Sequence, residues 1–155
     1  MGAGGFRHLA RGVGGRVTGF VAVHLPRLIS LAWALWVIPT AFAYVDGSPP
    51  QLVSAEALLM LPIWVVWALA AALLVLGSLV PPGASERQLE AARWMRVVGL
   101  AICAGLLIMW GAAFLGADGG RGWVSAKNYL FMALAAIVSA YLSGRDRARV
   151  RGQNA

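Results

Sequence analysis

Apolar residues fall into four long runs separated by short polar breaks. The first runs from Leu28 to Val45, directly after Arg27. The second runs from Ala57 to Val80, after Glu56. The third runs from Val97 to Ala117, between Arg96 and Asp118. The fourth runs from Val124 to Leu142. Runs of about 20 apolar residues are long enough to cross a bilayer as helices. The first three carry no charge. The fourth carries Lys127 near its start, where a long side chain can snorkel to the interface. The breaks have turn chemistry: Asp46–Gly47–Ser48–Pro49–Pro50, Pro81–Pro82–Gly83 and Asp118–Gly119–Gly120–Arg121–Gly122. The pattern predicts an all-α, polytopic integral membrane protein with four transmembrane helices at 28–45, 57–80, 97–117 and 124–142. A basic N-terminal arm, 1–27, precedes this domain (28–142), and a basic tail, 143–155, follows it.

Composition narrows the alternatives. Hydrophobic residues make up 60% of the chain and charged residues 12%, against about 45–50% and about 25% in soluble domains. The mean hydropathy is +0.74. A 155-residue soluble protein could not cover its surface with so few charges. Disorder over most of the chain is excluded by the same apolar content. The single cysteine, Cys103, excludes a disulfide scaffold.

Charge placement predicts orientation. Arg7, Arg11, Arg16 and Arg27 precede the first run. Arg87, Arg93 and Arg96 lie between the second and third, and Arg145, Arg147, Arg149 and Arg151 follow the fourth. The alternate connections hold only Arg121 and Lys127. Basic residues stay on the cytoplasmic side, so both termini are expected there. The net charge of +7 reads as topogenic charge against an anionic inner leaflet, with no nucleic acid needed to explain it. A competing reading takes Ala41–Phe42–Ala43 as a signal-peptide cleavage site, which would leave three spans.

Local patterns add detail. In the arm, Phe6, Leu9, Ala10, Val13, Val17, Phe20, Val21 and His24 share an arc of about 120°, the pattern of an interfacial amphipathic helix. Gly12, Gly15 and Gly19 weaken it by about 1 kcal/mol each relative to alanine, so a flexible arm that only sets orientation is the other reading. Pro39 and Pro62 should kink or interrupt the first two helices. Ser85–Glu86–Arg87–Gln88 is a capping-box pattern, and Glu90 is spaced to pair with Arg93. The third helix should therefore start near Glu86, before the membrane. Its small residues Ala101, Gly105, Ala112 and Gly116 share one side, suited to close packing either within the bundle or between copies. On the fourth helix, Asn128, Ser139 and Ser143 form a mildly polar stripe with Ser125. They could line a wet path or bond to neighbouring helices. Trp123, Tyr129 and Tyr141 read as interfacial anchors, and Trp33, Trp36, Trp64, Trp67 and Trp110 as packing bulk.

Catalytic chemistry has little to work with. No ionisable residue lies at membrane depth, one cysteine and two distant histidines do not make a metal site, and no base is placed to activate a nucleophile. The expectation is a non-enzyme without cofactor. The entry Gly122–Trp123…Lys127–Asn128–Tyr129 and the arginine tail from Arg145 to Arg151 carry a resemblance of layout. The chain resembles the small four-span membrane proteins of high-GC actinobacteria and their phages, including holin-like proteins encoded beside endolysins. That resemblance implies a protein that oligomerises and permeabilises the cytoplasmic membrane. The alternatives are an assembly, exclusion or accessory subunit docking another membrane protein, and a passive small channel or transporter.

Overall fold

The computed structural model describes residues 4–116 and 122–145. Among them are five α-helices and no strand: α1 (Gly4–Ala43), α2 (Val53–Leu59), α3 (Ile63–Leu79), α4 (Glu86–Leu115) and α5 (Gly122–Gly144), with one 3-10 turn at Pro50–Leu52. The loop 117–121 and the tail residues Arg147, Arg149 and Arg151 lie outside the described residues, as do the side chains of Arg7, Arg11 and Arg16 and the arm's amphipathic face. Three helical stretches are long and apolar enough to cross a membrane: His24–Ala43, Glu86–Leu115 and Gly122–Gly144.

The prolines behave differently from one another. α1 continues through both Pro26 and Pro39, so the arm and the first apolar run share one helix. Pro39 does not interrupt it. Hydroxyls supplement the backbone there: Ser30 donates to the Pro26 carbonyl and Thr40 to that of Trp36, each at 2.8 Å. Pro62 does interrupt. The apolar pattern predicts one span from Ala57 to Val80. Instead α2 ends at Leu59, Met60 takes a left-handed backbone (φ 53°), and α3 starts after Pro62. The helix in the second apolar run is thereby cut to the 17 residues of α3, shorter than the three stretches long enough to cross a membrane. A proline cannot donate to the preceding turn, and the residue before it avoids the helical region.

The long helices pack in sequence, α1 on α3, α3 on α4 and α4 on α5, with α5 returning to α1. Short connections make neighbours antiparallel. The core comprises small residues, Ala34, Ala41, Ala70, Ala71, Ala104, Ala133 and Ala136, around Trp67, Trp110, Leu74, Leu100 and Leu107. Large apolar side chains face outward on every long helix, among them Leu35, Phe42, Leu69, Leu76, Ile108, Phe131 and Leu134. Small residues inside and large apolar residues outside is the arrangement lipid favours and water does not.

Glycines set the register. A Cβ on Gly77 would sit 2.7 Å from the Ala92 carbonyl oxygen and 2.9 Å from Arg96 Cγ. One on Gly99 would lie 3.1 Å from the Ala70 oxygen and 3.0 Å from Leu74 Cγ, and one on Gly111 would lie 2.8 Å from Leu130 Cγ. These close approaches use the side of α4 that carries Ala92, Cys103 and Trp110. A Cβ on Gly105 would meet nothing within 4 Å.

This contrast predicts opposite outcomes for one added methyl. Gly77→Ala meets backbone and should lower stability by about 1–3 kcal/mol. Gly105→Ala should be neutral or stabilising by up to about 1 kcal/mol, through helix propensity alone. Thermal unfolding of both variants in detergent micelles checks the pair, and equal losses would contradict the register.

Candidate functional site

Near its N-terminus α4 carries a set of polar side chains that close helix ends. The capping box at its start is formed: the Gln88 amide donates to Ser85 Oγ, and Ser85 N–H donates to Gln88 Oε1 at 3.1 Å. Arg96 is buried and donates to the Gly77 carbonyl oxygen at 2.5 Å, in the last turn of α3. Arg93 donates to the Gly144 carbonyl oxygen at 3.1 Å, at the end of α5. Each guanidinium meets the negative end of a neighbouring helix dipole and satisfies a carbonyl that has no partner in its own helix. The expected Glu90–Arg93 pair is present at 3.7 Å, and Arg93 also lies over the ring of Trp94, 5.3 Å from its centroid. Counting these arginines as topogenic charge does not reveal the bonding. The signal is present in part: two arginines three apart sit on the buried side of α4, opposite its small-residue side.

A carboxylate does the corresponding work at the start of α3. Glu56 Oε1 accepts from the Ile63 amide at 2.8 Å and from Ser48 Oγ. Pro62, at the N-cap, offers no side chain for capping, so the cap comes from α2. The Ile63 amide bond, aided by the Ser48 hydroxyl, holds the Glu56 carboxyl below the ordinary carboxylate range.

Between these ends lies an aromatic string. Trp33, Trp36, Trp67, Trp110 and Tyr129 meet in successive edge-to-face contacts with centroids 5.1–5.9 Å apart, Tyr44 meets Trp110 at 5.2 Å, and Phe114 stacks on Tyr129. Tyr129 is thus part of the packing and not a surface anchor. Trp123 and Tyr141 are exposed, with Lys127 over the first ring and Arg145 over the second. The indole N–H groups of Trp67 and Trp110 are buried without a hydrogen-bond partner. The string fills the middle of the bundle with side chains.

The sequence-predicted site residues are not brought together. Ala101, Gly105, Ala112 and Gly116 are all exposed. At 3.6 residues per turn they lie about 170° from the buried side of α4, so the reading that they pack within the bundle is corrected; Gly77, Gly99 and Gly111 have that role. The polar stripe is divided. Asn128 is exposed, beside Lys127 in a shallow open groove with Phe131 and Met132. Ser139 donates to the Ala135 carbonyl at 2.7 Å and accepts from Trp33 Nε1 at 3.2 Å, tying α5 to α1. Ser143 is fully buried, and its hydroxyl has no hydrogen-bond partner. Ser143 is therefore turned away from the surface that carries Asn128, while Ser139 stays half-exposed. Cys103 is buried in the core. No group of three or more His, Cys, Asp or Glu side chains among the described residues is placed to hold a metal ion. Compared with known proteins, the chain matches no protein-family model, no curated relative and no solved structure.

The Glu56 geometry predicts a pH dependence. A carboxyl held below its unfolded value contributes stability above that value, and the contribution disappears as pH falls through the lowered folded value. Glu56→Gln should unfold at lower temperature than wild type near neutrality, and the gap should close below the ordinary carboxylate range. A gap that persists unchanged in acid would remove Glu56 as the charged cap of α3.

Proposed function

We propose that the chain is a non-catalytic protein of the bacterial cytoplasmic membrane that acts by lateral association of its own copies. Four crossings, by α1, by α3 with the break before it, by α4 and by α5, would leave both termini cytoplasmic. Arg27, Arg87, Arg93, Arg96 and Arg145 would then share the cytoplasmic side. In this reading copies associate and permeabilise the bilayer in a holin-like manner. The observation that carries it is the outward-facing small side of α4, with open space above Gly105. Small residues on an exposed membrane helix let a second backbone approach closely. The filled interior, with Trp67 and Trp110 at its centre, argues against a channel through one copy and favours a path between copies.

A second reading is an assembly, exclusion or accessory subunit that presents the same side of α4 to a different membrane protein. It is favoured by the bond that Ser139 accepts from Trp33 and by the burial of Ser143, which leave Asn128 the most outward-facing residue of the stripe.

Induced expression in a bacterial host, with membrane potential followed alongside crosslinking, separates the two. Holin-like association predicts collapse of the potential by wild type. With Gly105→Leu, crosslinked oligomers and collapse should both be lost while insertion and folding remain normal, because a side chain added at 105 enters open space beside the bundle. Sustained potential with abundant, inserted wild-type protein would exclude permeabilisation and favour the subunit reading. Unchanged oligomers in the variant would exclude this side of α4 as the contact.

A further inference from the structure

The break at Met60–Pro62 leaves α3 too short for the bilayer. Seventeen residues rise about 25 Å, against about 30 Å of hydrocarbon. The glycine contacts show at which end the shortfall lies. Gly77 is level with Ala92 and Arg96, and Gly99 with Ala70 and Leu74. Carried forward in the same antiparallel register, Ile63 comes level with Ile108. α4 continues from there to Leu115, a further rise of about 10 Å. α5 covers the same depth, because Gly111 lies against Leu130 and Ala126, which sets Leu115 level with Val124.

The neighbours remain apolar over that depth. Leu115, Val124 and, at the end of α1, Phe42 are exposed. Lipid covering them reaches past the start of α3. On the α3 side, the chain that leads into Ile63 is α2 and the break, and the turn before α2 contacts α4. Leu52, just before α2, is buried against the bundle, and Glu56 is bonded to the start of α3, so the segment is held in place. Its outer surface is Val53, Leu59, Met60 and Leu61, all exposed, with Met60 at 90%. Four large apolar side chains on one short connection would be costly in water.

We propose that the segment from Val53 to Leu61 is seated in the hydrocarbon edge of the leaflet at the α4 C-terminal end, with Met60 and Leu61 against lipid acyl chains. The second crossing is then a broken one, completed by this segment, and not a short helix reached through an aqueous loop. Within the segment, Glu56 turns its carboxylate inward to the start of α3. Its bonds to Ser48 and Ile63 satisfy polar groups that lipid could not. This inference rests on the reading that α3 crosses the membrane.

The test is collision accessibility of nitroxide labels on the full chain, reconstituted in phosphatidylethanolamine–phosphatidylglycerol vesicles. Labels are placed singly by Met60→Cys and Leu61→Cys, with Asp46→Cys as the aqueous reference and Leu35→Cys and Leu76→Cys as lipid references on α1 and α3. Buried Cys103 is replaced by alanine, or retained where it does not label. The expected result is oxygen access at 60 and 61 close to that at 35 and 76, and several-fold lower access to a water-soluble nickel chelate than at 46. Nickel access at both 60 and 61 equal to that at 46, with 35 and 76 still reading lipid, overturns this inference alone. Nickel access at 76 as well overturns the crossing of α3, and the inference with it.

Discussion

A helix end packed into the bundle cannot turn to water for its unpaired backbone groups, and this requirement organises the fold. α3 is the shortest of the long helices and has both ends closed by other elements. Arg96 of α4 bonds a carbonyl of its last turn, and Glu56 of α2 bonds its first amide. The charges match the helix dipole at both ends, cation at the C-terminus and carboxylate at the N-terminus. Arg93 repeats the arrangement on α5. Two arginines three residues apart on α4 thus join the ends of the helices on either side of it.

Those bonds require close helix approach, and the glycines supply it. Gly77 brings the α3 backbone onto α4 where Arg96 reaches across, and Gly99 continues the same contact one level deeper. With the register set, the large aromatic side chains meet near the middle, where edge-to-face contacts run from Trp33 to Tyr129. The buried hydroxyls of Ser30 and Ser78 are satisfied by a carbonyl of their own helix, whereas the Ser143 hydroxyl and the indole N–H groups of Trp67 and Trp110 have no partner. A hydroxyl bonded to its own helix can sit in an apolar setting without needing a partner helix. What faces the membrane is a hydrocarbon exterior with a smooth small-residue track on α4.

The amino-acid sequence alone determined the all-helical class, because apolar runs of that length with turn residues between them have few other solutions. It also determined the start of α4, since the capping box at Ser85 and Gln88 depends on spacing within one turn. The place of the break before α3 was legible in Pro62, for a proline without an amide disrupts a helix locally. The continuation of α1 through Pro39 was not, because whether a helix tolerates a proline depends on how it is packed. Only the tertiary structure decided which glycines touch. Gly105 and Gly116 match the small-pair spacing as well as any, yet Gly77, Gly99 and Gly111 carry the contacts, because the face a helix buries is chosen by its neighbours. The same holds for Arg93 and Arg96, whose partners lie on helices far along the chain, and for Ser139, which meets Trp33 across 106 positions. Periodicity says which residues share a side of a helix; which side turns inward is settled by the joint packing of all of them.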